Sequence, residues 1–127
     1  ELGKEGSGVV VSQVVPSPSS GSSALAREYQ EAMRKGGAGA AGTYASIEGY
    51  LAAKVLVEGL KRAKAPTREG LIAGLETLDR QSFGGFDVTF TPRSHMGSKF
   101  VEMSMLTAEK RVIGLAPHGD PSHAMFA

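Results

Sequence analysis

Val9-Val-Val-Ser-Gln-Val-Val15, held between Gly8 and Pro16, is the stretch on which the fold turns. Five of its seven residues are valine. A short continuous apolar run with turn residues at both ends predicts a strand buried on both faces, as in a parallel sheet. The backbone groups of such a strand need hydrogen-bonding neighbours on each side. No other stretch of the chain reads as a second central parallel strand, so those neighbours are expected from outside these 127 residues. The opening Glu1-Leu-Gly-Lys-Glu5 fits this reading. It has no initiator Met, no basic n-region and no apolar h-region, and residues 1–7 read as a linker entered from the middle of a longer protein.

Downstream, Pro16-Ser-Pro-Ser-Ser-Gly-Ser-Ser23 is a loop by composition, and Ser22 or Ser23 is placed to cap the helix that follows. That helix is predicted over 24–35, with Leu25, Tyr29, Ala32 and Met33 on one face and Gly36-Gly37 as its stop. Residues 36–42 form a Gly/Ala linker. A second helix over 44–64 carries Lys54, Glu58, Lys61 and Arg62 on one narrow edge, with Lys54–Glu58 and Glu58–Arg62 spaced as i,i+4 pairs. Apolar residues cover most of the rest, so this helix is expected to be largely buried. Thr67 is the expected N-cap of a third helix over 67–79, whose core face is Leu71, Ile72, Leu75 and Leu78; Gly70 and Gly74 weaken it or allow close packing. The period then changes. Phe86, Val88 and Phe90 alternate with polar residues, Thr91–Gly97 reads as a turn, and Val101, Met103 and Met105 read as the returning strand of an antiparallel hairpin. Residues 111–115 form a short further strand, and 117–127 are expected to be disordered.

Composition narrows the function. Fourteen Lys+Arg against 13 Asp+Glu leave a net charge of +1, too balanced for a surface that grips nucleic acid phosphates. No apolar run reaches the ~18–20 residues of a membrane-spanning helix. The absence of cysteine removes disulfides, thiolate nucleophiles and Cys-ligated zinc. Gly37-x-Gly39-x-x-Gly42 has the letters of a dinucleotide fingerprint, but a helix precedes it where the mechanism needs a strand. His118 and His123 flank Asp120 in a Gly/Pro-rich tail that lacks the ordered support of a metal site. His95 reads as a solvated turn residue. There is no G-x-S-x-G, no S-x-x-K and no convergent carboxylate pair. No catalytic residue, cofactor or metal is expected.

One polar cluster stands out: Tyr44, Ser46, Glu48 and Tyr50, at the start of an otherwise apolar helix. Either the helix N-terminus faces a cleft, where free N–H groups, a hydroxyl and an aromatic ring hold a small anionic or zwitterionic ligand, or Thr43 or Ser46 caps the helix and the tyrosines are half-buried.

Five segments in order resemble the C-terminal third of a type I periplasmic binding protein of the branched-chain amino-acid receptor group. They are GVVVSQVVPSP from Gly8, ALAREYQEAM from Ala24, YASIEGYLAAKVLVEGLKRA from Tyr44, PTREGLIAGLETL from Pro66 and FGGFDVTFTPRSHMGSKFVEMSML from Phe83. The resemblance implies an α/β chain: one buried parallel strand, three helices and a C-terminal antiparallel hairpin from a two-lobed fold joined by three crossovers. Residues 8–82 are then expected in the first lobe, 83–116 in the hairpin and final crossover. Tyr44, Ser46 and Glu48 are the implied ligand-binding residues, and Tyr50 an implied packing residue. The implied function is non-catalytic: capture of a small amphipathic solute, such as a branched-chain amino acid or a related carboxylate or amide, and delivery to the membrane permease of an ABC importer. A signal peptide upstream and an extracytoplasmic location follow from the same resemblance. Exposed apolar surface, and with it either self-association by strand exchange or low stability, is expected of the piece alone. The alternatives are a small α/β enzyme or nucleotide-binding domain, a helical interaction module, and a ligand sensor of the same fold.

Overall fold

A computed structural model describes residues 6–37, 42–107 and 112–115. Its elements run β1 (Val10–Gln13), α1 (Ala24–Lys35), α2 (Tyr44–Arg62), α3 (Arg68–Leu75), β2 (Gln81–Phe83), β3 (Phe86–Val88), β4 (Glu102–Leu106) and β5 (Val112–Leu115). The chain divides into two compact units. One takes the residues up to Val14 and from Val101 onward; the other is Val15–Phe100. This is an α/β chain with three helices, as the sequence indicates.

Each helix begins where local chemistry places it. Ser23 caps α1, its hydroxyl accepting the Ala26 N–H at 3.2 Å. Thr67 caps α3, accepting the Gly70 N–H at 3.0 Å. α1 ends at Gly36, and Gly37 follows in the left-handed region at φ 68°. In the Val15–Phe100 unit the core is built from Val15, Leu25, Ala26, Tyr29, Ile47, Leu51, Phe83, Phe86 and Val88. α3 is joined to α2 by a glycine contact. A Cβ on Gly74 would lie 2.4 Å from the Gly59 carbonyl oxygen, so Gly74 needs hydrogen for a side chain. Of the two i,i+4 pairs expected on α2, Glu58–Arg62 forms at 2.8 Å, whereas Lys54 reaches across to Glu28 on α1. Arg62 also donates to Thr77 O (3.1 Å) and Gln81 Oε1 (2.5 Å), tying the end of α2 to the chain leading into β2.

Three expectations are corrected. The valine run is a strand, but not a parallel one buried on both faces. β1 pairs antiparallel with β4 in the register Val10↔Met105 to Gln13↔Glu102, and β4 pairs antiparallel with β5, giving the order β1-β4-β5. Val9, Val10 and Val14 are 39%, 47% and 59% exposed. An apolar run reports a preference for burial, whereas strand direction is set by the partner, which the run cannot name.

The hairpin expected between 86–90 and 101–105 does not form either. β3 pairs with β2 across a two-residue turn at Gly84-Gly85, both at positive φ (63° and 85°). β4 belongs to the other unit, and the C-terminal hairpin is β4–β5. The Thr91–Gly97 turn is present, closed by a Thr91↔Ser94 bridge, but the chain from it runs irregularly to Val101.

α2 is not largely buried. Ile47, Leu51 and Gly59 are buried, while Leu56, Val57 and Leu60 stand 46–53% exposed. Nothing among the described residues covers that side. The tail from 117 and linker residues 38–41 lie outside the described residues.

Candidate functional site

The polar cluster of the sequence sits at the N-terminus of α2. Thr43 is extended (φ −119°, ψ 161°), and its side chain accepts the Ser46 N–H at 3.2 Å. Ser46 returns the interaction, its hydroxyl accepting the Thr43 N–H at 2.9 Å, which completes a capping box. Ile47 N–H donates to Thr43 O at 3.0 Å. The N–H groups of Tyr44 and Ala45, the first two of the helix, have no intrahelical acceptor, because the carbonyls they would reach lie before the helix begins.

Ser46 Oγ also meets the hydroxyl of Tyr29 at 2.5 Å. The hydroxyl has one proton, and Thr43 O stands 2.9 Å away to accept it. Thr43 Oγ1 is a further partner at 3.0 Å, and in the Tyr29–Ser46 bond either hydroxyl can donate. The Ser46 hydroxyl thus has Tyr29 and three atoms of Thr43 within hydrogen-bond distance, enough to use both its lone pairs and its proton. Tyr29 is buried, so this bond satisfies its phenol and pins α1 to the start of α2. Sequence reasoning placed Tyr29 only on a core face. Its partner lies 17 positions away, and no local pattern marks that separation.

Tyr44 is half-buried and packs against the core, Ser46 is half-buried, and Glu48 is exposed. Tyr50 is packed, edge-on to Tyr29 with ring centroids 5.7 Å apart, and Lys54 Nζ lies 5.7 Å from its ring centroid. The start of α2 thus carries an aromatic ring and two helix N–H groups without an acceptor among the described residues, with the Glu48 carboxylate in the turn that follows. Such an end suits a small ligand with an anionic or polar group.

Cavities also lie elsewhere in the unit. One, of about 250 Å³, is lined by Ile72, Leu75, Glu76, Phe90 and His95. Over it, His95 Nε2 is 3.1 Å from Glu76 Oε1, and the His95 ring meets Phe90 edge-on. His95 is exposed, as expected for a turn residue, but the pair fastens its turn to the end of α3. The second, about 460 Å³ and open, runs between α1, α2 and the β2–β3 turn and includes Glu28, Lys54, Lys61 and Ser82. On α1, a 2.7 Å contact with Lys35 holds the Glu31 carboxyl below its ordinary range, first by hydrogen bonding and then by charge; both groups lie in solvent. Among the described residues no three His, Cys, Asp or Glu side chains gather as a metal site. His118, Asp120 and His123 lie outside them.

None of the curated proteins matches the chain. A possible leucine/isoleucine/valine-binding protein from Rhodopirellula baltica is 32% identical with a TM-score of 0.79, over 91% of this chain. A substrate-binding periplasmic protein from Ralstonia solanacearum is 33% identical with a TM-score of 0.74, over 84%. An extracellular ligand-binding receptor from Verminephrobacter eiseniae is 29% identical with a TM-score of 0.75, over 85%. The chain spans 31% of the length of each. The family model described as "Periplasmic binding protein" matches residues 1–109, which takes in both units, the capped α2 and every strand up to β4. The chain therefore belongs to the periplasmic binding protein family.

Proposed function

We propose that the chain is part of an extracytoplasmic solute-binding protein that captures a small amphipathic solute, a branched-chain amino acid or a related carboxylate or amide, and delivers it to the permease of an ABC importer. The role is non-catalytic. The observation that carries the reading is the capped N-terminus of α2, which opens on Tyr44 and has Glu48 in the following turn, with the N–H groups of Tyr44 and Ala45 lacking an acceptor among the described residues. In this reading Tyr44 packs on the aliphatic part of the solute. Glu48 faces its ammonium or amide, and Ser46 acts by holding the cap in place. The two connections between the compact units, at 14–15 and 100–101, fit two of the three lobe crossovers expected of the fold.

Binding in such a protein works by differential affinity. A solute that favours the closed arrangement shifts the population toward it by no more than its difference in binding free energy between open and closed. The test is a thermal-shift screen of the full-length protein against aliphatic amino acids and their amides. Saturation at 100 times Kd adds about 2.7 kcal/mol of stability. A flat response across the panel refutes the solute class. A Tyr44→Ala variant that binds as well as the parent refutes the site. The 127-residue chain alone is expected to self-associate through the exposed, valine-rich outer edge of β1. Light scattering after size exclusion that finds a clean monomer refutes that.

A further inference from the structure

The cavity between the end of α3 and the Thr91–Gly97 turn has no part in the solute site proposed at α2. It measures about 250 Å³ and is lined by Ile72, Leu75, Glu76, Phe90 and His95. Close-packed interiors leave few voids of that size, and here the walls are seated on backbone. Leu75 leans on Gly59, whose Cβ would meet its Cδ2 at 2.5 Å, and α3 is fixed against α2 at Gly74. On the other wall, Phe90 N–H donates to Leu78 O at 3.0 Å. The Phe90 ring lies so close to Gly97 that a Cβ there would be 2.9 Å from Cζ. The turn that carries His95 is closed in both directions, Thr91 N–H to Ser94 O at 3.0 Å and Ser94 N–H to Thr91 O at 3.1 Å. The space between these walls is preformed.

Its chemistry is divided. Ile72, Leu75 and Phe90 make most of the wall apolar, and Ile72 is 43% exposed although it is a large aliphatic residue. The polar part is the pair in which His95 Nε2 lies 3.1 Å from Glu76 Oε1. The Glu76 side chain is only 22% exposed, and no lysine or arginine among the described residues pairs with it. A carboxylate withdrawn from water is favoured by a cation beside it. A cavity of about 150 Å³ lined by Leu, Ile and Phe is large enough for benzene, so this one has room for a ring with a short arm. Such a mixture, apolar walls with one placed charge, is how small-molecule sites fix orientation.

We propose that this cavity is a separate binding site for a small arylalkyl amine, whose ring lies against Ile72, Leu75 and Phe90 and whose ammonium donates to the Glu76 carboxylate. A ring beside Phe90 gains edge-on or offset packing, and an ammonium–carboxylate hydrogen bond is charge-assisted. His95 engages Oε1, and a carboxylate has a second oxygen to offer. All five lining residues belong to α3 or follow it in the chain, so the inference stands apart from the reading of Tyr44, Ser46 and Glu48.

The probe is 2-phenylethylamine, titrated into the full-length protein and followed by saturation-transfer NMR. Beside it run 2-phenylethanol and 3-phenylpropanoate, which keep the ring and remove or reverse the charge. The amine is expected to bind with a Kd of about 1 mM or lower, the alcohol at least about tenfold more weakly, and the acid more weakly still. No binding of the amine at about 10 mM overturns the proposal, as does an acid that binds as well as the amine. This series needs no variant to fold. Two variants then locate the site: Glu76→Gln is expected to bring the amine down to the level of the alcohol, and Ile72→Trp, which fills the cavity from its exposed rim, to abolish binding of both. Amine binding unchanged in both variants puts the probe elsewhere on the protein and overturns the proposal.

Discussion

Gly74→Ala is expected to destabilise the Val15–Phe100 unit far more than Gly59→Ala, although the two glycines face each other across one contact. A methyl on Gly74 would sit 2.4 Å from Gly59 O, 2.9 Å from Ala63 N and 3.2 Å from Arg62 C. All three atoms are backbone, so relief requires α3 to withdraw by about 1 Å, loosening close-packed contacts along the whole pair. A methyl on Gly59 would meet Leu75 Cδ2 at 2.5 Å, Leu75 Cγ at 2.7 Å and Leu71 Cδ1 at 3.2 Å. All three are side-chain atoms, two of them terminal methyls, and they can move by a change of rotamer without shifting the backbone. Overpacking costs about 1–3 kcal/mol, and Gly→Ala in a helix returns up to about 1 kcal/mol. With the backbone clash at the upper end, the net loss for Gly74→Ala is about 2 kcal/mol, against about 0–1 for Gly59→Ala. Gly49→Ala, which meets nothing, should gain up to about 1 kcal/mol in the isolated chain. Urea denaturation followed by far-UV circular dichroism ranks the three at constant m-value. At about 4–8 °C per kcal/mol, thermal midpoints should separate as well. If Gly74→Ala proves as stable as Gly59→Ala, α2 and α3 are not in backbone contact and the reasoning fails.

Ser46→Ala removes the reciprocal half of the cap and leaves the buried Tyr29 hydroxyl without its partner, so a loss of about 1–3 kcal/mol is expected in the same denaturation assay. Tyr29→Phe, which removes the phenol and leaves Ser46 its other partners, should cost only about 0.5–1.5 kcal/mol; the reverse order would contradict the placing of Ser46 in both the cap and the link to α1. Gly84→Ala combines a positive φ with a Cβ 2.6 Å from Leu25 N, whose N–H donates to Gly84 O, and should cost about 2 kcal/mol or more. Gly85→Ala, with open space around it, should cost about 1 kcal/mol, and equal losses would argue against the contact with α1. Arg62→Met keeps the aliphatic stem but breaks three links at the end of α2; a loss of about 1–3 kcal/mol is expected from thermal melts, and no loss would show those contacts to be solvent-screened.

The helices were legible because what starts and stops a helix is local. Ser23, Thr43 and Thr67 each act within three residues, and Gly36-Gly37 ends α1 where its carbonyls run out. Strand pairing is not local. The valines of β1 and the alternation of Val101, Met103 and Met105 show that each segment is extended, but β4 could pair with β3 or β1, and period-two patterning does not distinguish the choices. One pairing was readable: Phe83-Gly-Gly-Phe86 has the two-glycine spacing of a tight hairpin, and that is where β2 turns into β3.

The same distinction divides the candidate site. Thr43 and Ser46 were readable as a cap because they stand three apart, and the reading of Tyr44, Ser46 and Glu48 as a cluster needs only a helix start. What stabilises the cluster was not readable. Tyr29–Ser46 spans 17 positions and His95–Glu76 spans 19, and each depends on how whole helices and turns are placed. This gives the two residue sets different experimental signatures. Loss of Ser46 should weaken the fold whether or not a solute binds, because its hydrogen-bonding capacity is spent within the protein. Tyr44 packs at the edge of the core, with part of its ring exposed, and Glu48 is outside it. Truncating Glu48 should leave stability nearly unchanged, so any effect of Glu48→Gln on solute affinity reports the site itself rather than the scaffold that holds it.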